Sequence, residues 1–103
     1  MARTAVIIGA GIGREHLVGY LELPEQFAVT HFCDIDVERA KSVVAELNAG
    51  DVTIESDFDE ILANGDIDVV DICLPPHLHF SMSKAALEAG KHVVCEKPLV
   101  SSL

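Results

Sequence analysis

Five short apolar runs, spaced by segments of helical period, constrain this chain more than any other feature: Ala5 to Ile8, Phe27 to Cys33, Val52 to Ile54, Asp68 to Leu74 and His92 to Cys95. Runs that are apolar on both faces belong to strands covered on both sides, as in parallel sheets. Strands alternating with helices are βαβ units, and right-handed crossovers restrict them to a doubly wound sheet. The expected fold class is therefore α/β, a doubly wound parallel sheet of about five strands in the order 3-2-1-4-5 with strand three at an edge. At 103 residues, 50% of them apolar, the chain has material for one core, and residues 1–103 are read as one domain.

The segments between the runs supply the helices. A glycine cluster opens one over about residues 14–23, stopped by Pro24. Asp36 stands at the N-cap of a second, with Val37, Ala40, Val43, Val44 and Leu47 on one face and Asn48-Ala49-Gly50 at its end. Asp57 caps a short third helix carrying Phe58, Ile61 and Leu62 inward, closed by Asn64-Gly65. Pro75-Pro76 breaks the fourth strand, and a helix from about His79 to Ala89 is expected to bury Met82, Ala85, Ala86 and Ala89 before Gly90. The tail from Pro98 to Leu103 reads as a loop leading to a serine N-cap, so the domain is expected to stop before strand six. That leaves Val93-Val94 as an apolar edge suited to a homo-oligomer contact.

Charge excludes whole classes of partner. Seventeen acids against seven Lys and Arg give a formal charge of −10, which disfavours nucleic acid and anionic membrane. With no basic leader or long apolar run ahead of Thr4-Ala5-Val6-Ile7-Ile8, a cytoplasmic location is expected. Cys33, Cys73 and Cys95 fit neither a disulfide framework nor a metal-ligand spacing. They are read as reduced packing residues, and no metal site is expected.

Chemistry concentrates at the carboxyl ends of the runs. Gly9-Ala10-Gly11-Ile12-Gly13-Arg14 joins the first strand to the first helix, where glycine lets the backbone turn tightly and a pyrophosphate approach the helix amides. The third glycine position, counted from Gly9, holds Arg14, with Gly13 one residue early, so Arg14 could add a cation near the phosphates. Asp34 follows the second strand at the spacing of a ribose-binding acid, and no basic residue among Ile35, Asp36 and Val37 relieves a 2′-phosphate, which favours NAD over NADP. The alternative is that Asp34 or Asp36 only caps the next helix, which for Asp36 is the preferred reading. After Leu74, Pro75-Pro76 holds the loop extended, with His77 and His79 as helix caps or cofactor-edge contacts. His16, His31 and His92 read as surface or packing residues. Glu96-Lys97-Pro98 follows the fifth strand; the Lys97 ammonium could polarise a substrate oxygen or contact the nicotinamide ribose, or form an ordinary ion pair with Glu96.

These segments resemble the N-terminal NAD(P)-binding Rossmann domain of the glucose-fructose oxidoreductase, inositol dehydrogenase and MocA (Gfo/Idh/MocA) family. The resemblance rests on residues 5–11, on Cys33-Asp34-Ile35-Asp36 with Arg39-Ala40, and above all on residues 68–79 and 86–98. It implies a pyridine-nucleotide oxidoreductase that moves a hydride between a nicotinamide and a sugar, cyclitol or related hydroxy compound. In such a protein Gly9 and Gly11 meet the pyrophosphate, with Ile12 and Gly13 completing the turn, and Asp34 meets the adenosine ribose. Leu74, Pro75 and His79 lie toward the nicotinamide half, and Lys97, beside Glu96, is at the reaction centre. The family's general base and substrate wall come from a second, largely β-sheet domain not in residues 1–103, so the isolated chain is expected to bind cofactor without turnover. A stand-alone nucleotide-binding or sensing module, acting through a partner docked on the strand-five edge, is the alternative.

Overall fold

Four consecutive residues, Ala5 to Ile8, are almost wholly removed from solvent, and a strand buried on both faces belongs at the middle of a covered sheet. The computed structural model describes residues 3–49, 52–74 and 76–95, with the backbone alone for residues 10, 12, 76–79 and 95. Strand β1 (Arg3–Ile8) is central, flanked by β2 (Phe27–Cys33) and β4 (Val69–Ile72), with β3 (Thr53–Glu55) and β5 (His92–Cys95) outside them. All pairings are parallel and the order is β3-β2-β1-β4-β5, as expected.

The connecting helices are α1 (Ala10–Leu21), α2 (Val37–Glu46), α3 (Phe58–Ala63) and α4 (Pro76–Glu88). Alternate strand residues face opposite layers. Ile7 and Phe32 pack with Leu17 of α1 and Ala40, Val43 and Val44 of α2. Val6, Ile8, Val70 and Ile72 pack with Ile61 of α3 and Ala86 of α4. Each fully buried side chain of this kind contributes about 1.5–3 kcal/mol. Among the described residues two charged ones are buried, Asp71 and Lys91. Lys91 Nζ donates to the carbonyls of Asn64 and Ile67 at 2.8 and 3.2 Å, satisfying the end of α3. No helix among the described residues is long and apolar enough to cross a membrane.

Local chemistry sets the boundaries, and two helix starts differ from expectation. Helix α1 starts at Ala10 rather than near Arg14, because Gly9, at φ 101°, completes the turn in one residue. Helix α4 starts at Pro76 rather than near His79, since proline's fixed φ suits a first helical position and its missing N–H costs nothing there. Ala89 is exposed rather than buried, as it lies beyond the end of α4. Asp36 and Asp57 are N-caps, accepting from the amides of Arg39 and Asp59 at 3.1 and 2.9 Å.

Gly13 decides how closely α1 lies on the sheet. A Cβ there would stand 2.7 Å from Ile7 and 3.1 Å from Phe32, both in the packed core. The shortened glycine turn thus keeps its helix-packing glycine, moved one residue forward. Gly19 in the same helix has open space around it. Gly13→Ala is expected to destabilise by about 1–3 kcal/mol through overpacking, whereas Gly19→Ala should stabilise by roughly 0.5–1 kcal/mol through helix propensity; urea unfolding of both variants reads the two signs.

Burial, with the nearby carboxylates of Glu55, Asp34 and Asp57 adding, pushes the Cys33 thiol up to about 12 from its ordinary 9.0. The unfolded chain loses this proton first, so the contribution to stability is whole below pH 9 and is lost as pH rises toward 12. Urea midpoints measured from pH 7 upward should fall above pH 9, and Cys33→Ala should flatten that fall.

Candidate functional site

The carboxyl ends of β2, β1 and β4 meet at Gly9. Its N–H donates to the Cys33 carbonyl at 2.8 Å, and the Cys73 N–H donates to the Ile8 carbonyl at 2.8 Å. A side chain on Gly9 would collide with the Cys73 carbonyl and come within 2.9 Å of the Leu74 side chain. Gly9 therefore sits in the crevice where the strand order reverses, the place at which open α/β sheets receive ligands. The first intrahelical bond of α1 is Gly13 N–H to the Gly9 carbonyl at 3.0 Å. The amides of residues 10–12 thus open the helix without intrahelical acceptors. Helices α2 and α3 have acids in their first turns and aspartate caps, while α1 has neither. Its N-terminal partial positive charge is left for an anion from outside the helix.

Asp34 continues the crevice beyond β2. Its N–H donates to the Glu55 carbonyl at 3.1 Å, and its Oδ1 accepts from the Asp36 amide at 2.9 Å. The carboxylate is held at the strand end while Asp36, not Asp34, caps α2. Ile35 beside it is 91% exposed, an apolar side chain with no core role.

Gly9, Gly11, Gly13, Asp34 and Leu74 are thus gathered at one sheet edge. For Ile12 and His79, helical backbone is described but not the side chain; His77 is in the same position. Pro75, Glu96 and Lys97 lie outside the described residues.

Arg14 is a correction. Its guanidinium binds Glu46 at the end of α2 through Nε at 3.1 Å and Nη2 at 3.0 Å, with Glu15 at 3.2 Å, instead of facing a phosphate. At the fifth residue of α1 it has turned to the side of the helix that faces α2. These carboxylates raise the Arg14 pKa, and Arg14 lowers that of Glu46. Among the described residues, a cation does stand at the crevice, Arg39, whose Nη2 lies where a methyl on Gly11 would be. Sequence spacing missed it, although its position one turn after the Asp36 cap returns a long side chain to the start of α2.

His16 and Tyr20 were missed as well. His16 Nδ1 is 2.6 Å from Asp71 Oδ2, the Tyr20 hydroxyl donates to the same oxygen at 2.7 Å, and the Cys73 thiol donates to Oδ1 at 3.4 Å. Burial, then the hydrogen bond to Asp71, raises the Tyr20 pKa and keeps the phenol protonated. His16, Asp71 and Cys73 could in principle share a metal ion. The 2.6 Å separation of Nδ1 and Oδ2 is a hydrogen-bond length, shorter than the roughly 3.3 Å between ligand atoms around tetrahedral zinc. The signal for this network was an acid, Asp71, inside an apolar strand, with His16 and Tyr20 one helical turn apart.

The glycine cradle, an unopposed helix N-terminus and a fixed acid at the next strand end fit a dinucleotide. Residues 3–103 match the family described as oxidoreductase family, NAD-binding Rossmann fold. Levoglucosan dehydrogenase of Pseudarthrobacter phenanthrenivorans is 36% identical over 104 residues, covering 90% of this chain and 25% of the relative. A levoglucosan dehydrogenase structure in complex with NADH superposes with a TM-score of 0.81 at 34% identity, over 96% of this chain and 28% of that one. The myo-inositol dehydrogenase of Lactobacillus casei, in complex with NAD(H) and myo-inositol, gives 0.85 at 28% identity, over 96% and 29%. The chain spans less than a third of the length of these relatives. A match running from β1 to the last residue, together with the same fold at this identity, means that the chain belongs to the Gfo/Idh/MocA oxidoreductase family and carries its NAD-binding Rossmann fold.

Proposed function

We propose that this chain is the cofactor-binding part of an NAD-preferring oxidoreductase that acts on the carbinol carbon of a sugar, cyclitol or related hydroxy compound. The observation that carries the reading is the Gly9 junction, where a side-chain-free turn, the uncapped start of α1 and the Leu74 side chain share one crevice. The substrate class rests on relatives named for levoglucosan and inositol.

Each residue then has a task. The amides of residues 10–12 hold the pyrophosphate, and the absence of side chains at Gly9 and Gly11 lets it come close. Asp34 accepts hydrogen bonds from the adenosine ribose hydroxyls. The exposed Ile35 packs on one face of the adenine and the Arg39 guanidinium on the other, a cation–π contact. Leu74, Pro75 and His79 border the nicotinamide half. When bound, the nicotinamide supplies hydride-transfer chemistry. Lys97, next to Glu96 in sequence, donates a hydrogen bond to the substrate oxygen and stabilises the charge it gains on losing its proton.

NAD is preferred because a 2′-phosphate would face the Asp34 carboxylate. Arg39 moderates this preference. In calorimetric titrations NADH should bind at least about tenfold more tightly than NADPH, Asp34→Ala should bring the ratio toward one, and Arg39→Ala should weaken both ligands. A ratio near one in the unsubstituted chain defeats the assignment of Asp34, and no NADH binding up to millimolar concentration by folded protein defeats the reading as a whole. Supplied with a substrate domain, Lys97→Ala should lower kcat at least about 100-fold while NADH affinity changes less than about threefold, the pattern of a group acting on the reacting atoms.

A further inference from the structure

Asp71 is a buried acid of the sheet, 1% exposed, and the cofactor contacts proposed above give it no task. A carboxylate removed from water is costly, and an apolar residue of similar size is often as stabilising or more so. Its value here lies in what it fixes. Asp71 lies on β4 with Cys73 on the same face, the face turned toward α1. From α1, His16 and Tyr20 reach one carboxylate oxygen at 2.6 and 2.7 Å from positions one helical turn apart. Two attachments at different heights set both the rotation of α1 and its position along its axis. The apolar contacts beneath α1, from Leu17 and Gly13, are non-directional, whereas hydrogen bonds of this length fix direction as well as distance. The Tyr20 ring is itself held edge-on against Phe27, with centroids 5.0 Å apart.

The two elements joined in this way are the two sides of the crevice. Helix α1 presents the amides of residues 10–12, and β4 runs on to Leu74 against Gly9. We propose that Asp71 is a positioning residue for the dinucleotide: through His16 and Tyr20 it sets the α1 amides at the depth that receives the pyrophosphate. This rests on the cofactor reading above. It assigns to the Asp71 network no contact with the cofactor, only the placing of groups that make one.

The test separates pyrophosphate from nucleoside binding. NADH, ADP and adenosine are titrated into the chain and followed by chemical-shift changes, which register millimolar affinities. Asp71→Asn keeps the size of the side chain and removes its charge; it should weaken NADH and ADP about tenfold, the effect of hydrogen bonds to a charged group, while adenosine changes less than about twofold. Tyr20→Phe, which keeps the ring on Phe27, should act in the same direction if Asp71→Asn folds poorly. His16→Ala should reproduce the loss, and His16→Asn, whose amide nitrogen stands where Nδ1 does, should restore most of it. Equal weakening of adenosine and ADP marks a merely structural role and overturns the proposal, as does unchanged ADP affinity in all variants. Absence of NADH binding by the unsubstituted chain overturns the cofactor reading and this proposal together.

Discussion

Everything at the crevice depends on the backbone turning from strand to helix within one residue at Gly9. With φ at 101° the chain leaves β1, and its N–H is still taken by the Cys33 carbonyl of β2. On the other side the Cys73 carbonyl lies where a Cβ would be. A non-glycine residue would meet both an unfavourable backbone region and a backbone clash. Because the Cys73 carbonyl is backbone rather than a flexible side chain, relief would require the ends of β1 and β4 to move apart. The turn that leaves the start of α1 open is thus the one that lets β2, β1 and β4 end together.

A sheet that ends evenly does not by itself fix the helix beside it. Apolar packing specifies that α1 lies on β1 and β2, with Gly13 setting its height through Ile7 and Phe32. Dispersion contacts are individually weak and non-directional. The directional attachment comes from Asp71, which binds α1 to the neighbouring half of the sheet across the point where the strand order reverses. A buried charge is tolerated there because three donors surround it.

Strand existence and order were legible because burial on both faces leaves continuous apolar runs, and right-handed crossovers leave few topologies. The helix starts were less so. Gly9 and Pro76 each act through a single backbone angle, and composition signals glycine or proline without telling whether the helix begins at that residue or several later. At the candidate site, the meeting of Gly9, Gly11 and Asp34 at the carboxyl ends of the strands was legible through fixed spacing. Arg39 and the His16–Tyr20–Asp71 network were not, since their partners are distant in sequence and meet only when α1 and α2 are laid on the sheet. Arg14 was misassigned because a cation next to a glycine turn says nothing of Glu46, a full strand and helix later.

The charge of the chain sharpens what recognition must rely on. The formal charge of −10 on these 103 residues repels a dinucleotide whose phosphates are themselves anionic, so their net charge does not draw the ligand in. At physiological ionic strength that repulsion is screened beyond about 8 Å. What remains is local: amides at the start of α1 carrying no acid in their turn, and the Arg39 guanidinium against Gly11. Groups that act only at contact distance must stand in the right place before the ligand arrives, since any rearrangement is subtracted from binding. On the proposed reading, an acidic domain that receives an anionic cofactor has more reason than a basic one to hold a helix in position with a buried carboxylate.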